Sequence, residues 1–493
     1  MILSKDQINR YLRHIIIPEI SGPGQKKISE SKIYLYSSTV LEASSLIYYL
    51  AASGIGSISC SFKDDQGFDE LYKNIKDLNE NVIVTLTDME FPIVHENPLS
   101  NEGFEIRILI TNYEDLKSMY MRFSSSHTPS KFIPTILAIN VGWKGILQTF
   151  CNEVDFNSLI SSPLTLDSNP LQNKTYDKEG NILSHNLLGA LTTIECVKLC
   201  LNIGTILDKP LYFDLLPMKF YKLDTKVSNS AITDFFKYNY SENQLSSNLE
   251  NTKKLSDSKV LIVGTGGLGS PAAFTLATLG IGTIGIVDYD RVEISNLNRQ
   301  ILHSTSRIDM PKVDSAEVFI KNINPDIKVV KYNTEINVNN AKDIIKNYDV
   351  IIDCVDNFPA RYLLNDTCFF LNKPLVDAAA VKFHGLIMTI LPNKGPCYRC
   401  VFPVKPDQNN VMTCSESGVL GPVPGVMGFM QAAEVVKLLL GAGETLCNRI
   451  IYYDALDSDF DFINTNKSPK CNLCGTNPTI TSPIEYTNSC EIK

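Results

Sequence analysis

Short β-branched runs alternate with longer apolar stretches of helical period through the second half of the chain. Lys259–Val263 has the length and composition of a buried strand, and residues 272–279 form an apolar helix pattern. A second strand-like run ends in Val287 and Asp288, and residues 349–353 read as another buried strand. Residues 418–425 are rich in Gly and Pro and admit the chain into a helix over 426–440. Met427, Met430, Val435, Leu438 and Leu439 mark the core-packing positions of that helix.

The first half repeats this order. Arg10, Tyr11 and Arg13 precede Ser31, Lys32 and Ile33 at the interval that separates Lys237, Tyr238 and Tyr240 from Ser258, Lys259 and Val260. The Gly-Ile-Gly of Gly54, Ile55 and Gly56 echoes Gly280, Ile281 and Gly282. Glu195 and Lys198 echo Glu434 and Lys437, and Tyr212, Phe213 and Asp214 echo Tyr452, Tyr453 and Asp454. Two tandem α/β copies of one domain, 1–225 and 226–493, account for this, with a polar boundary near residues 224–234; the period is too long for a solenoid.

A length of 493 residues suits two or three domains. With 44% hydrophobic and 20% charged residues the composition is that of an ordinary globular protein. A net charge of −9 argues against a nucleic-acid partner. Residues 1–13 lack the apolar core of a signal peptide, and the most apolar stretch, 33–60, carries Glu42 and several serines. The 13 cysteines lie in no disulfide framework and suggest a reducing compartment. A cytoplasmic protein with no membrane or nucleic-acid partner is the expectation.

The chemistry concentrates in residues 258–312. Lys259–Val263 leads into Gly264, Thr265, Gly266, Gly267, Leu268 and Gly269, a turn whose glycines let backbone approach a phosphate ahead of a helix N-terminus. Asp288, 19 residues beyond Gly269, is placed to accept ribose hydroxyls. This plan alone serves NAD as well as ATP. Arg299, within Ser295, Asn296, Leu297, Asn298, Arg299 and Gln300, and then Lys312 add cations that a pyrophosphate-binding dehydrogenase has little need of. Breaking a triphosphate needs such charges on the α-phosphate and departing pyrophosphate. The reading therefore leans to nucleotidyl transfer. In the first copy no glycine lies between Gly24 and Gly54. Ser37, Ser38, Thr39 and Glu42 replace the phosphate turn, and Phe62 or a neighbour replaces the ribose acid. Cys397 with Cys400 and Cys471 with Cys474 form two C-x-x-C pairs. Four thiolates suit a closed, structural zinc site, although the gap between the pairs exceeds the usual finger spacing; a redox pair is disfavoured because neither pair is expected to open a helix after a strand.

The motifs GTGGLGS, VDYDRVEISNLNRQ, PK, DCVDN, PCYRC and TCSESGVLGP resemble the ThiF/MoeB family, which includes the activating enzymes for ubiquitin-like proteins. The match is dense over the second half. The resemblance implies two Rossmann-like ThiF/MoeB-type domains packed as an intramolecular pseudo-dimer with one active site. It implies that Gly264, Gly266, Gly267, Gly269, Asp288, Ser295, Asn296, Arg299, Lys312 and Asn357 bind ATP, that Asp356 holds Mg2+, and that the four cysteines hold structural Zn2+. In the family's homodimers the second arginine of the opening helix contacts the partner subunit's ATP. Here the nucleotide-competent copy has Lys237 and Tyr240 at those positions, so Arg13 of the other copy would supply the contact. Cys414 matches the family's loop cysteine, which can form a covalent adduct with the carrier. The implied catalytic set is Arg13, Arg299, Lys312, Asp356 and Cys414; His303 and His384, without evident partners, are read as structural.

The implied reaction is attack by a carboxylate on the α-phosphate of ATP, giving an acyl-adenylate and pyrophosphate. The substrate would be the C-terminal carboxylate of a small ubiquitin-like sulfur carrier ending in Gly-Gly, with a separate protein as sulfur donor. A nucleophile already ionised at neutral pH needs no general base. Competing readings are a peptide-modifying adenylating enzyme of natural-product biosynthesis, a non-catalytic carrier-binding module and, weakest, NAD oxidoreduction.

Overall fold

A computed structural model describes residues 3–87, 105–113, 115–116, 132–161, 177–224, 227–237, 248–404 and 417–484. The chain divides into two compact units. The first comprises Met1–Tyr11, Pro18–Asn248 and Leu456–Ser458; the second comprises Leu12–Ile17, Leu249–Ala455 and Asp459–Lys493. The polar stretch near residues 224–234 is not where the first unit ends. The helix Asn229–Lys237 buries Ile232 and Phe236 beside Tyr34, Leu109 and Tyr113 of the first unit's core.

The first sheet contains β1 (Lys32–Thr39), β2 (Ser57–Asp64), β3 (Ile83–Leu86), β4 (Ile106–Asn112), β5 (Thr135–Val141), β6 (Lys144–Phe150), β7 (Leu211–Asp214) and β8 (Lys219–Lys222). The second contains β9 (Lys259–Val263), β10 (Thr283–Val287), β11 (Lys328–Tyr332), β12 (Val350–Asp353), β13 (Leu375–Val381), β14 (His384–Ile390), β15 (Arg449–Asp454) and β16 (Asp459–Asn464). Their orders are β3-β2-β1-β4-β5-β6-β7-β8 and β11-β10-β9-β12-β13-β14-β15-β16, one pattern displaced by eight strands. In each, the first five strands pair in parallel and the last three turn antiparallel. Continuous apolar runs such as Val260, Leu261, Ile262 and Val263 are fully buried, as parallel strands covered on both faces must be.

The repeat extends to buried polar detail. Glu195 pairs with Lys198, and its other carboxylate oxygen accepts from the Leu207 N–H and the Thr149 hydroxyl. Glu434 pairs with Lys437 and accepts from the Leu446 N–H and the Thr389 hydroxyl. Gly54 and Gly280 close their helices in the left-handed region, at φ 84° and 79°.

The copies diverge where phosphate would bind. In the second unit five residues separate β9 from the helix Gly269–Leu279; in the first, β1 runs directly into the helix Val40–Ser53. The β1–β2 register pairs Ser37 with Phe62, placing Phe62 where the second sheet has Asp288. Glu42 fills the first turn of that helix, buried, its carboxylate accepting from Asn112 Nδ2 at 3.0 Å. Burial pushes the Glu42 carboxyl up to about 7.

The last long helix is Pro422–Leu440, not 426–440. Pro422 sits at its start, where a missing N–H costs nothing, so the Gly/Pro-rich stretch partly winds into the first turn. It is the one helix among the described residues long and apolar enough to cross a membrane, and it is buried in the second unit's core. A Cβ at Gly428 would lie 2.3 Å from the Leu268 carbonyl oxygen, so glycine lets this helix touch the end of the glycine turn.

Candidate functional site

The site grows from the C-terminal ends of β9, β10 and β12 in the second unit. Gly264 lies at φ 93°, and its N–H donates to the Val287 carbonyl at 2.8 Å. A Cβ there would fall 2.7 Å from the Cys354 carbonyl oxygen, and one at Gly269 would fall 2.0 Å from the Gly264 oxygen. The turn is therefore pressed between neighbouring strands at a separation only glycine allows. It opens the helix Gly269–Leu279 without a side-chain cap; the Ser270 N–H already donates to the Gly266 carbonyl at 2.9 Å and Pro271 has none, so an anion would meet the glycine segment's own N–H groups. Gly267 faces Pro424 and Arg299, and Gly266 faces the Gln300 amide.

Asp288 is wired into this turn. Its Oδ2 accepts from the Thr265 N–H and hydroxyl, both at 2.8 Å, and its Oδ1 accepts from the Asp290 N–H at 3.0 Å. His303 braces the turn from below. Its Nε2 donates to the Thr265 carbonyl at 3.1 Å, which leaves Nδ1 to accept from the Ser315 hydroxyl at 2.9 Å. Burial, then Lys312 and Arg307, push the His303 imidazole down to about 3, so it is neutral. The partners that the sequence did not reveal come from opposite sides of the ring, and they make His303 structural.

The cations stand beside the turn. Lys312 is buried at the start of the helix Lys312–Ile323, with Nζ 2.7 Å from Asp290 Oδ2. Arg299 donates through Nη1 to the Ser295 carbonyl at 2.8 Å and to Asn298 Oδ1 at 3.0 Å. Asn296 accepts from the Glu293 N–H at 3.0 Å, and the Ser295 hydroxyl donates to Glu293 at 3.2 Å. These bonds hold the 293–300 segment in tight turns with Arg299 against Gly267.

Asp356 is exposed past the end of β12. Asn357 caps the helix Phe358–Leu371, its Oδ1 accepting from the Ala360 N–H at 2.9 Å. Leu12–Ile17 belongs to this unit, so Arg13 and the nucleotide-type turn share one compact body. The Arg13 carbonyl accepts from the Val419 N–H at 3.1 Å, and His14 Nε2 accepts from the Gly421 N–H at 2.9 Å. A Cβ at Gly421 would lie 2.1 Å from the Asn298 carbonyl oxygen and 3.4 Å from His14 Nε2, so the segments that carry Arg13 and Arg299 both pack against the 418–421 stretch. Arg10 lies in the first unit, buried, donating to the Leu78 carbonyl at 2.6 Å.

The four knuckle cysteines converge, with sulfurs within 4.8 Å of one another. Their closest separations run from 3.3 Å (Cys400–Cys474) to 3.8 Å (Cys397–Cys400). Zinc–thiolate bonds in a tetrahedron place sulfurs about 3.8 Å apart, so the cluster fits a closed site. Hydrogen bonding from Cys397, with Cys400 and Cys471 adding to it, lowers the Cys474 thiol to about 5, and backbone N–H groups of Ser468 and Cys474 point at Cys400 and Cys471. Contrary to expectation, Cys397 does open a helical turn, Tyr398–Val401. The fork of Arg399 in that turn grips Asp366 through two bonds of 2.7 Å. Asn365 Oδ1 accepts from the Tyr398 N–H. The knuckle is thus bolted to the helix that begins after Asp356 and Asn357.

Cys414 lies outside the described residues. His384 accepts from or donates to the Tyr452 hydroxyl at 2.8 Å and stacks on its ring. The residues missed from sequence are Thr265, Asp290, His14 and Asp366. Each acts through a contact distant in the chain, and only Thr265 and Asp290, beside named motif residues, carried any signal.

The ThiF family matches residues 240–473. Over 238 residues the chain is 46% identical to the adenylyltransferase and sulfurtransferase MOCS3 of Drosophila sechellia, which covers 48% of this chain and 52% of that one. Over 244 residues it is 43% identical to the SAMP-activating enzyme E1 of Haloferax volcanii, covering 49% of this chain and 90% of that one. A crystal structure of E. coli MccB with MccA-N7isoASN is 27% identical at a TM-score of 0.42, covering 46% of this chain and 70% of that chain. The chain spans about half the length of the MOCS3 relatives that it matches. By its glycine turn, its placed cations and the nearly complete coverage of the Haloferax relative, the chain belongs to the ThiF family.

Proposed function

We propose that the second unit is an ATP-dependent adenylyltransferase acting on the C-terminal carboxylate of a small ubiquitin-like sulfur carrier. The observation that carries the reading is the gathering of Gly264–Gly269, Asp288, Arg299 and Lys312 at the C-terminal ends of adjacent interior strands, in a chain similar to enzymes named for adenylyl transfer and for SAMP activation. In this reading the glycine-turn N–H groups and the helix N-terminus bind phosphate, and Asp288 Oδ1 takes the ribose hydroxyls. Ser295 and Asn296 shape the segment that presents Arg299. Lys312 exchanges Asp290 for phosphate oxygens, and Arg13 adds a second guanidinium. Asp356, backed by Asn357, would hold Mg2+, which supplies charge on the phosphates. The four cysteines would hold Zn2+ structurally, and the sulfur comes from a separate donor. A reducing, cytoplasmic setting, in which cysteines stay unpaired with one another and available to zinc, completes the proposal.

The geometry asks for no general base. The two buried histidines nearest the turn, His14 and His303, each spend a ring nitrogen on a backbone partner. Catalysis then rests on placing a carboxylate in line with the leaving pyrophosphate and on cationic stabilisation. The test is ATP–pyrophosphate exchange with carriers ending in Gly-Gly. Exchange that depends on carrier, and falls at least about tenfold in Arg299→Ala and Lys312→Ala, supports the proposal; exchange unaffected by either substitution overturns it.

A further inference from the structure

One buried cluster beside the site has an unbalanced charge. Asp353 at the end of β12 and Asp377 on β13 are register partners, and both are almost fully buried. Side chains of register partners on neighbouring parallel strands lie on one face of the sheet, so the two carboxyls are neighbours. Arg361 faces both but donates to Asp377 Oδ1, at 2.5 Å, and to the Val355 carbonyl, at 2.7 Å. Asp353 Oδ1 accepts from the Val355 N–H at 3.1 Å. One oxygen of each acid, Oδ2, is buried with no donor.

The first copy supplies an internal control. Leu109 pairs with Tyr36 as Asp353 pairs with Val263, and Leu109 and Leu137 are register partners, both buried. The same fold therefore closes over two leucines where the second unit buries two acids. The acids are not needed to make the sheet. Two carboxylates beside a single guanidinium leave one negative charge without solvent or counter-ion, a cost relieved if one acid stays protonated.

We propose that Asp353 carries a proton, which it donates to Asp377, and that the resulting pair with Arg361 is a positioning device for the Asp356–Asn357 turn. Asp353 holds the N–H of Val355 and Arg361 holds its C=O, so the peptide leading into Asp356 is gripped on both sides. The pair deepens the adenylyl-transfer reading by assigning the support of the magnesium carboxylate. Burial, with Asp377 adding to it, pushes the Asp353 carboxyl up to about 8 despite Arg361. The other titratable groups facing the pair are the Cys354 and Cys368 thiols and the Tyr398 phenol, all raised by burial and therefore neutral; Gln431 is neutral and donates to the Asp353 and Val376 carbonyls.

The experiment compares wild type with Asp353→Asn, whose amide can donate to Asp377 as the protonated acid would. Between about pH 5 and 7.5 native wild type keeps a proton that its unfolded chain releases. Its folding constant should therefore fall about tenfold per pH unit relative to that of Asp353→Asn. A pH-independent ratio overturns the proposal, whatever the enzyme's activity. Pyrophosphate exchange at pH 7 should stay within about twofold of wild type in Asp353→Asn and fall more than about tenfold in Asp353→Leu. Equal losses in both variants overturn the positioning role and leave the adenylyl-transfer reading standing. If Asp353→Asn does not fold, infrared spectra decide, taken at pH 7.5 on the full chain carrying Glu42→Gln. A protonated-carboxyl band is expected there, and its absence refutes the shared proton.

Discussion

The twin buried ion pairs offer a measurable consequence of the repeat. In Glu434→Ala the Lys437 ammonium, fully buried and 2.5 Å from Glu434, loses its counter-ion and retains the Glu444 carbonyl at 2.6 Å. The Leu446 N–H and the Thr389 hydroxyl, at 2.8 and 2.5 Å from the other oxygen, lose their acceptor. Stranding one partner of a buried pair costs about 3–5 kcal/mol, and each abandoned donor about 1–3 kcal/mol before relaxation. These contributions overlap, so about 4 kcal/mol is expected, a large part of a typical domain's stability. Glu195→Ala should cost the first unit a similar amount. Lys198 sits 2.5 Å from Glu195, whose other oxygen accepts from Leu207 N–H and the Thr149 hydroxyl; Ser458 of the same unit remains as its partner at 2.8 Å. Urea unfolding followed by far-UV circular dichroism reads both variants. The sole tryptophan, Trp143, is buried in the first unit and reports the Glu195 variant by fluorescence. A loss below about 1 kcal/mol in either variant would refute the argument that the pairs are fully desolvated.

Three further outcomes follow from the geometry. Arg13→Ala should reduce pyrophosphate exchange at least about tenfold, while Arg10→Ala, which strips a buried bond to the Leu78 carbonyl, should lower the melting temperature instead; an Arg13 variant with wild-type exchange removes that residue from the site. Chelating zinc, or Cys471→Ser, should lower the unfolding temperature of the second unit before it changes exchange in protein that remains folded, as read by calorimetry beside activity. Glu42 has its folded-state carboxyl raised to about 7 by burial, so the native first unit holds a proton that the unfolded chain loses above about pH 4.3. Relative to Glu42→Gln, the wild-type first unit should therefore lose about 3 kcal/mol of stability as pH rises to 7 and little beyond, as read by urea titrations at stepped pH.

Much of the second unit was legible because its chemistry is local. The glycine turn follows its strand directly, and Asp288 comes immediately after the next one. The cations fall within one short segment and at one helix start, so order along the chain reports order in space. The repeat was also legible, since Gly-Ile-Gly and Glu-x-x-Lys keep their places where glycine geometry and buried charge admit few substitutes. What stayed hidden depends on distant pairing. His303 met Thr265 and Ser315, Arg399 met Asp366, and Asp353 met Asp377 only once strands and helices were assembled. The start of the helix Pro422–Leu440 was misplaced because Gly and Pro read as loop, although proline is suited to a first turn. Residues 224–234 read as a polar boundary, yet the helix Asn229–Lys237 starts within them, and its Ile232 and Phe236 lie on one helical face and enter the first unit's core.

Under the proposed function, nucleotide chemistry belongs to the second copy alone. Equilibrium dialysis of the full chain with radiolabelled ATP and magnesium decides this, using wild type beside Gly269→Val, whose side chain would collide with the Gly264 carbonyl. A single nucleotide per wild-type chain is predicted, with none bound by the variant when its circular dichroism shows it folded. Two nucleotides per chain, or binding that survives a bulky residue in the turn, would contradict it.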